Sequence, residues 1–471
     1  MAQPGPRIEP TGPVPADYTE EKGDGPISND PPQKGTITLK DCGSFFVPLI
    51  FMAELMMITH TIIHAALARQ PFPTMALAAF SIAFAITIII GSISRTIIQV
   101  VITFGLDKRS IRRLWIIGAY ITSFSFAATM LIALTPLGDF IYGDIFGASD
   151  RVVREAKKVT FVLSLISPCQ LIRDVPTGLL MKARKTIFVT IGTVVRIGSL
   201  GGFLLIFSYV LEGALVGAVG LLGCIGMEGL FAFACAIPIY RKTPESMVEL
   251  ASYREIMRFS WPIMINRVLE NANILLINVF IGRLADPDLA LAGFGVARGL
   301  LQLIMSPFRN LSLVSQALVN TREDLRVMVK FTWLTIVVCA VLLLVLFYTP
   351  LRSILLGRVM GLSGELIQYI TPAVLLFLPA PYFWGFASTN RGLLAACRMT
   401  ISLAWAGALR LIVAVLIPAL CLIYRDSNGA VIGVATLTLA FALEAGLLGR
   451  VLGRTVSSGQ AFPVGRPAER S

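Results

Sequence analysis

The chain has 471 residues, of which 55% are apolar and 14% charged, and its mean hydropathy is +0.77. The apolar residues gather in blocks of roughly 20, the length a helix needs to cross about 30 Å of hydrocarbon. That excludes a soluble enzyme, a secreted disulfide scaffold and a free nucleic-acid-binding domain, and it makes the formal charge of +12 a property of loops and tails facing anionic lipid.

Residues 1–40 are rich in Pro, Gly and acidic residues and hold no apolar run long enough for a signal peptide, so a disordered cytoplasmic tail is expected. Hydropathy then predicts twelve helices near 43–66, 75–104, 112–136, 157–181, 186–208, 212–239, 257–282, 288–318, 331–349, 364–388, 400–423 and 428–453. The even-numbered connections carry Lys108, Arg109, Arg112 and Arg113, then Lys182, Arg184 and Lys185, then Arg241, Lys242 and Arg254, then Arg322, Arg326 and Lys330. Most odd-numbered connections carry one basic residue or none. The exception is 137–156, where Arg151 and Arg154 are interspersed with Asp139, Asp144, Asp150 and Glu155. Basic loops stay inside, which predicts two cytoplasmic termini in a cytoplasmic or plasma membrane. The expected fold class is all-α and polytopic. Its expected parts are a tail at 1–40, a six-helix bundle at 41–240, a linker at 241–256, a second bundle at 257–456 and a tail at 457–471. Pro168, Pro176, Pro307, Pro379 and Pro381 fall within spans and are candidate kinks.

The two halves repeat. At an offset of 214, Phe45-Phe46-Val47-Pro48 meets Phe259-Ser260-Trp261-Pro262, Phe80 meets Phe294, and Ser92-Ile93-Ser94-Arg95 meets Ser306-Pro307-Phe308-Arg309. Gly178-Leu179-Leu180, Arg184-x-Thr186 and Arg196 follow in register with Gly392-Leu393-Leu394, Arg398-x-Thr400 and Arg410. After a two-residue insertion Gly213 to Gly217 meets Gly429 to Gly433, and Glu228 meets Glu444. Six spans per half would make the copies parallel, related by an axis along the membrane normal, as in transporters that rock two bundles about a central cavity.

These residues carry a resemblance. Val47-Pro48-Leu49 at the start of the first helix, a second helix running into a basic loop and the matching Trp261-Pro262 are similar to the multidrug/oligosaccharidyl-lipid/polysaccharide (MOP) exporter superfamily. Met257-Arg258-Phe259-Ser260-Trp261-Pro262, Leu409-Arg410-Leu411-Ile412-Val413, Gly429 to Gly433 and Glu444 resemble its progressive ankylosis family over nearly the whole chain except the tails. The resemblance implies a V-shaped pair of six-helix bundles exporting anionic metabolites such as pyrophosphate or citrate. Relatives of the MATE type extrude cationic drugs against protons or sodium, using a carboxylate late in the first helix. About there this chain has His64 and, in its second half, Asn278.

An ionisable group inside a span costs at least roughly 2.5 kcal/mol, so each needs a partner or a function. Depth counting at about 1.5 Å per residue sets Arg196 level with Glu228 and Arg410 level with Glu444, read as repeated structural ion pairs. It also sets Glu54 level with Arg95 and Glu270 nearly level with Arg309, a second pairing or a substrate site. Arg298 has Phe84 as its repeat mate, and Arg173-Asp174 has Ala387-Ser388, so these charges break the symmetry. An excess of arginine around a cavity suits a polyanion, because the guanidinium fork grips carboxylate and phosphate oxygens in pairs. Arg95, Arg298, Arg309, Asn271 and Asn278 are therefore the candidate substrate ligands. Glu54, His60, His64 and Glu270 are candidates for coupling or gating. His60 and His64 share one helical face without a third ligand, and no metal is expected there. Proton coupling or a polar cavity wall are the readings left open for them.

No Gly-rich nucleotide loop is present, and the seven cysteines lack C-x-x-C spacing, so neither an ATP motor nor a disulfide framework is expected. The combined expectation is a monomeric secondary transporter, not an enzyme, without a cofactor or nucleic-acid partner. It would meet a small anion, membrane lipids and a coupling proton or sodium ion. The rival readings are a MATE-type cation-coupled drug antiporter, a lipid-linked precursor flippase, and a non-transporting scaffold or receptor.

Overall fold

The computed structural model describes residues 37–457 apart from 147, 246–249, 361, 363 and 425–426. The expected tails at 1–40 and 457–471 therefore lie almost wholly outside the described residues. Ile37 is an exception: it is buried, and its backbone N–H donates to Asp324 Oδ1 at 3.0 Å.

All regular secondary structure among the described residues is helical. The helices are α1 Leu39–Leu67, α2 Pro73–Gly91, α3 Ile97–Phe104, α4 Lys108–Leu134, α5 Pro136–Asp139, α6 Asp150–Ser164, α7 Ile166–Lys182, α8 Thr186–Phe207 and α9 Ala214–Lys242. They continue as α10 Tyr253–Ile281, α11 Pro287–Leu318, α12 Arg322–Phe347, α13 Leu351–Ser353, α14 Gly364–Leu375, α15 Ala380–Ala396, α16 Ile401–Cys421 and α17 Gly429–Ser457. Among the described residues 9 helices are long and apolar enough to cross a membrane, or up to 11 with two bent pairs counted. The fold is thus an all-α polytopic membrane protein. The span expected at 157–181 is divided at Leu165 between α6 and α7, of 15 and 17 residues, each short of the roughly 20 that a crossing needs.

Two other expected helices are broken. The one at 75–104 bends by 43° between Gly91 and a 3-10 turn at Ser94–Thr96. No proline lies there. Ser92 instead turns its hydroxyl onto the Ile89 carbonyl at 2.6 Å beside Gly91, and a Gly/Ser pair is a recognised cause of a kink. Its repeat mate α11 contains Pro307 and runs unbroken. The helix expected at 364–388 bends by 55° between α14 and α15, with Pro379 as the N-cap of α15 and Pro381 in its first turn. Pro168 lies just beyond the α6–α7 break, and Pro176 lies inside α7.

The repeat extends to irregular backbone. Phe140–Ile145 and Ile354–Val359 are both π-helical turns. Thr135 and Thr349 each cap the residue two further on, through Leu137 N–H and Leu351 N–H. Arg184 (φ 59) and Arg398 (φ 57) both adopt the left-handed conformation. At each, the following amide reaches back five residues, from Lys185 to the Leu180 carbonyl and from Met399 to the Leu394 carbonyl, at 2.8 Å. That hydrogen bond closes a helix C-terminus whose carbonyls would otherwise lack donors. Helix packing repeats too: α1 on α8 matches α10 on α16, and α7 and α8 on α9 match α15 and α16 on α17.

The halves join at one end. There Phe45, Leu49, Ile102 and Leu180 share a core with Leu311, Val314, Leu318 and Met328. Val101, Phe104 and Leu179 share another with Ile256, Phe259 and Ala395. All these residues lie toward the terminus-bearing end. Toward the opposite end each half keeps its own core, Ile63, Phe80 and Leu163 in the first and Ile281, Phe294 and Leu437 in the second. Among the described residues the two halves therefore share apolar packing at the terminus-bearing end and keep separate cores toward the other.

Close helix crossings at repeat-related glycines fix this packing. A Cβ on Gly392 would fall 2.1 Å from the Ser312 carbonyl oxygen of α11, and one on Gly178 would fall 2.7 Å from Val101 Cβ. Backbone cannot yield cheaply. Gly392→Ala is expected to lower stability by about 2 kcal/mol or more, read as a fall in thermal midpoint in detergent, whereas Gly446→Ala, with open space around it, should leave the midpoint within about 0.5 kcal/mol of the parent.

Candidate substrate cavity

Glu444 of α17 and Glu228 of α9 are the centres about which the buried charges are arranged. Arg391 of α15 grips Glu444 with two parallel bonds of 2.6 Å. Arg410 of α16 lies 3.4 Å from the same carboxylate and donates to Asn266 Oδ1 at 2.7 Å. In the first half Arg196 of α8 and Arg173 of α7 lie 3.4 Å and 3.5 Å from Glu228, and Arg173 also holds Asp174 at 2.7 Å. All these groups are buried. The repeat comparison aligned Arg173 with Ala387 and so left Arg391 without a mate. In space the two arginines do the same work from positions one helical turn apart, about 5.4 Å along the axis.

Beside the Glu444 cluster lies a cavity of about 50 Å³ in the second half. Glu270, Asn271 and Asn273 of α10, Arg298, Gln302 and Arg309 of α11, and Arg410 line it. Trp384 and Phe441 form one wall as a stack with centroids 4.2 Å apart. Phe441 also lies under both Arg391 and Arg410, at 5.7 Å from each guanidinium, a cation–π arrangement that adds attraction in a desolvated site. The buried Trp384 Nε1 has no hydrogen-bond partner among the described residues, which makes it a free donor at the wall.

Four of the sequence-derived candidates, Arg298, Arg309, Asn271 and Glu270, thus share one cavity. Asn278 does not: it lies two turns further along α10, where its carbonyl accepts from Gly282 N–H at 2.9 Å. Arg95 sits in the 3-10 turn between α2 and α3, within electrostatic range of Arg267, Arg309 and Arg173. The expected level pairs take other partners. Glu54 accepts a hydrogen bond from Ser306 across the two halves instead of meeting Arg95, and Glu270 lies 3.8 Å from Arg267 on its own helix instead of meeting Arg309. Equal depth did not imply equal azimuth, and one position is about 100° of rotation around a helix. His60 and His64 stand apart from this cavity on the first half, packed against Phe84 at 4.9 Å and Phe80 at 6.0 Å. His60 Nδ1 is buried without a partner among the described residues.

Arg267 and Arg391 were missed by reasoning from symmetry, since neither has a charged mate. A simple count of ionisable residues within spans would have flagged both. In the second half Arg267, Arg309, Arg391 and Arg410 surround Glu270 and Glu444, and Arg298 lines the same cavity, so the region has a surplus of positive charge among the described residues.

Comparison with solved structures places this architecture. A MOP superfamily transporter from Pyrococcus furiosus superimposes with a TM-score of 0.66 at 15% identity, covering 90% of this chain and 97% of that one. An outward-facing multidrug resistance MATE family transporter gives 0.65 at 14%, with 90% and 97% covered. The eukaryotic MATE transporter AtDTX14 gives 0.62 at 14%, with 88% and 95% covered. No protein-family model matches the chain, and no curated protein matches it. At these identities the likeness defines the fold: the chain is built as a MOP superfamily transporter of the MATE type is built.

The two carboxylate clusters differ in redundancy. Removing Glu444 takes away the carboxylate that Arg391 and Arg410 contact directly, and breaking such a buried pair costs about 3–5 kcal/mol. Glu228→Gln leaves Asp174 still bonded to Arg173, so a smaller loss is expected. Thermal unfolding in detergent should show Glu444→Gln as the more destabilised of the two.

Proposed function

We propose that the chain is a secondary active transporter that exports a small anionic metabolite by alternating access, without ATP hydrolysis. The observation that carries this reading is the pair Arg298 and Arg309 in the cavity wall. The local carboxylates Glu270 and Glu444 are engaged by Arg267, Arg391 and Arg410. An anion entering between the two halves would gain charge-assisted bonds to Arg309 and Arg298, with Asn271, Gln302 and Trp384 Nε1 available as neutral ligands. Arg95 would approach from the other half. Its place at a broken helix at mid-depth is typical of substrate sites in transporters.

Glu270 acts in this reading as a resident counter-ion. With the cavity empty it balances Arg267, and a bound anion would take over that role, so that occupancy of the site changes which charge faces Arg267. The reorientation would open the terminus-bearing end. The bonds it must break include Gln316 to the Gln99 carbonyl and Thr103, both 2.9 Å, and Asn310 to the Leu49 carbonyl at 2.8 Å. Each is worth about 1 kcal/mol net, few enough to be exchanged for bonds at the opposite end.

The resemblance to the progressive ankylosis family supports pyrophosphate or citrate as the cargo class. The Pyrococcus furiosus neighbour, whose pocket is described as having a reverse polarity that suggests a different function, supports the view that this fold accepts pockets of more than one charge type. The test is flux of radiolabelled pyrophosphate and citrate, beside a cationic dye, in liposomes containing the parent, Arg309→Gln or Glu270→Gln. Anion flux should fall at least tenfold in Arg309→Gln, since a charge-assisted bond is worth about 1.5–3 kcal/mol. Dye flux that survives Arg309→Gln and stops in Glu270→Gln, with no anion movement, would replace this reading with a MATE-type cation antiporter.

A further inference from the structure

A second cavity is larger than the charged one and apolar. It is a groove of about 560 Å³ across the seam between the halves, lined by Ile93, Tyr120 and Phe124 on one side and by Met257, Trp261, Ile265 and other apolar residues of α10 on the other. Tyr120, Phe124, Met257, Trp261 and Ile265 are all exposed, within a part of the molecule that hydrocarbon surrounds. The α10 wall runs from Met257 to Leu269, about 18 Å at 1.5 Å per residue, which matches one leaflet of a bilayer core about 30 Å thick. The groove is also one-sided. At the repeat-related seam, between α1 and α12, Phe46 and Phe331 meet edge to face at 5.3 Å and fill the space.

The mouth of the groove is basic. Arg254 stands three positions before Met257 on the same face of α10, and Arg113 stands seven positions before Tyr120 on the same face of α4. Arg254 is exposed, and the Arg113 guanidinium lies 4.8 Å over the Tyr253 ring at that mouth. We infer that this groove is a binding site for one anionic phospholipid of the leaflet at the terminus-bearing side, with an acyl chain along α10 and the phosphate between Arg254 and Arg113. Apolar length, membrane exposure and charge at the correct end coincide here. The site is separate from the substrate cavity and holds whatever the transported solute is.

Trp261 reports occupancy, because bromine on an acyl chain quenches an indole it touches. The full chain is reconstituted in vesicles doped with phosphatidylglycerol or phosphatidylcholine carrying brominated acyl chains. The difference in quenching between the parent and Trp261→Phe isolates this indole from the other tryptophans, and gel filtration confirms that both fold. Brominated phosphatidylglycerol should quench Trp261 at a mole fraction several-fold below that needed with brominated phosphatidylcholine. Arg254→Gln should erase about fivefold of that preference, and Arg254→Lys should keep most of it. Equal quenching by the two headgroups, a preference that survives Arg254→Gln, displacement by oleate as effective as by unbrominated phosphatidylglycerol, or absence of Trp261 quenching would each overturn the inference.

Discussion

A guanidinium placed halfway across a membrane must find negative charge, and the interior of this protein is organised around that requirement. Arg391 and Arg410 converge on Glu444, and Arg173 and Arg196 converge on Glu228. These clusters tie α7, α8 and α9 to one another, and likewise α15, α16 and α17. Hydrocarbon on all sides gives the helices no hydrophobic reason to associate, so buried polar bonds and close crossings at small residues carry more of the packing than they would in a soluble bundle. Gly392 against Ser312 and the bidentate Arg391–Glu444 pair are the two sides of that economy.

The same requirement separates scaffold from site. At Glu228 the charges balance, with Arg173 and Arg196 facing Glu228 and Asp174. Around Glu270 and Glu444 arginines outnumber carboxylates among the described residues. The cavity lies on the boundary of that surplus, with the Glu444 cluster behind it and Arg298 and Arg309 at its wall. The shared cores at one end and separate cores at the other then give this boundary a direction of access.

Much of this was legible in the sequence, for reasons of periodicity. Apolar blocks of membrane length gave most of the spans, though not the division at 157–181, and the constant offset of 214 gave the repeat, which the paired π turns at Phe140–Ile145 and Ile354–Val359 follow at the level of the backbone. Depth was legible as well, which is why Arg196 with Glu228 and Arg410 with Glu444 could be matched. Azimuth was not. Counting along a helix could not show that Glu54 turns to Ser306, that Glu270 turns to Arg267, or that Asn278 leaves the cavity to Asn273. Symmetry also misled where the halves have diverged: the break at Gly91–Ser94 lies in the copy without the proline, and Arg391 was hidden because its functional mate sits a turn away at Arg173.

Arg184 and Arg398 carry the repeat into the backbone torsions. Each holds a left-handed backbone that glycine would adopt with less strain. In the second copy the side chain stacks on Phe104 of α3 at 4.6 Å and bonds to Glu255 of α10. A residue kept at a torsional cost thus also holds the second half against the first: glycine at 398 would relieve the turn and loosen the seam.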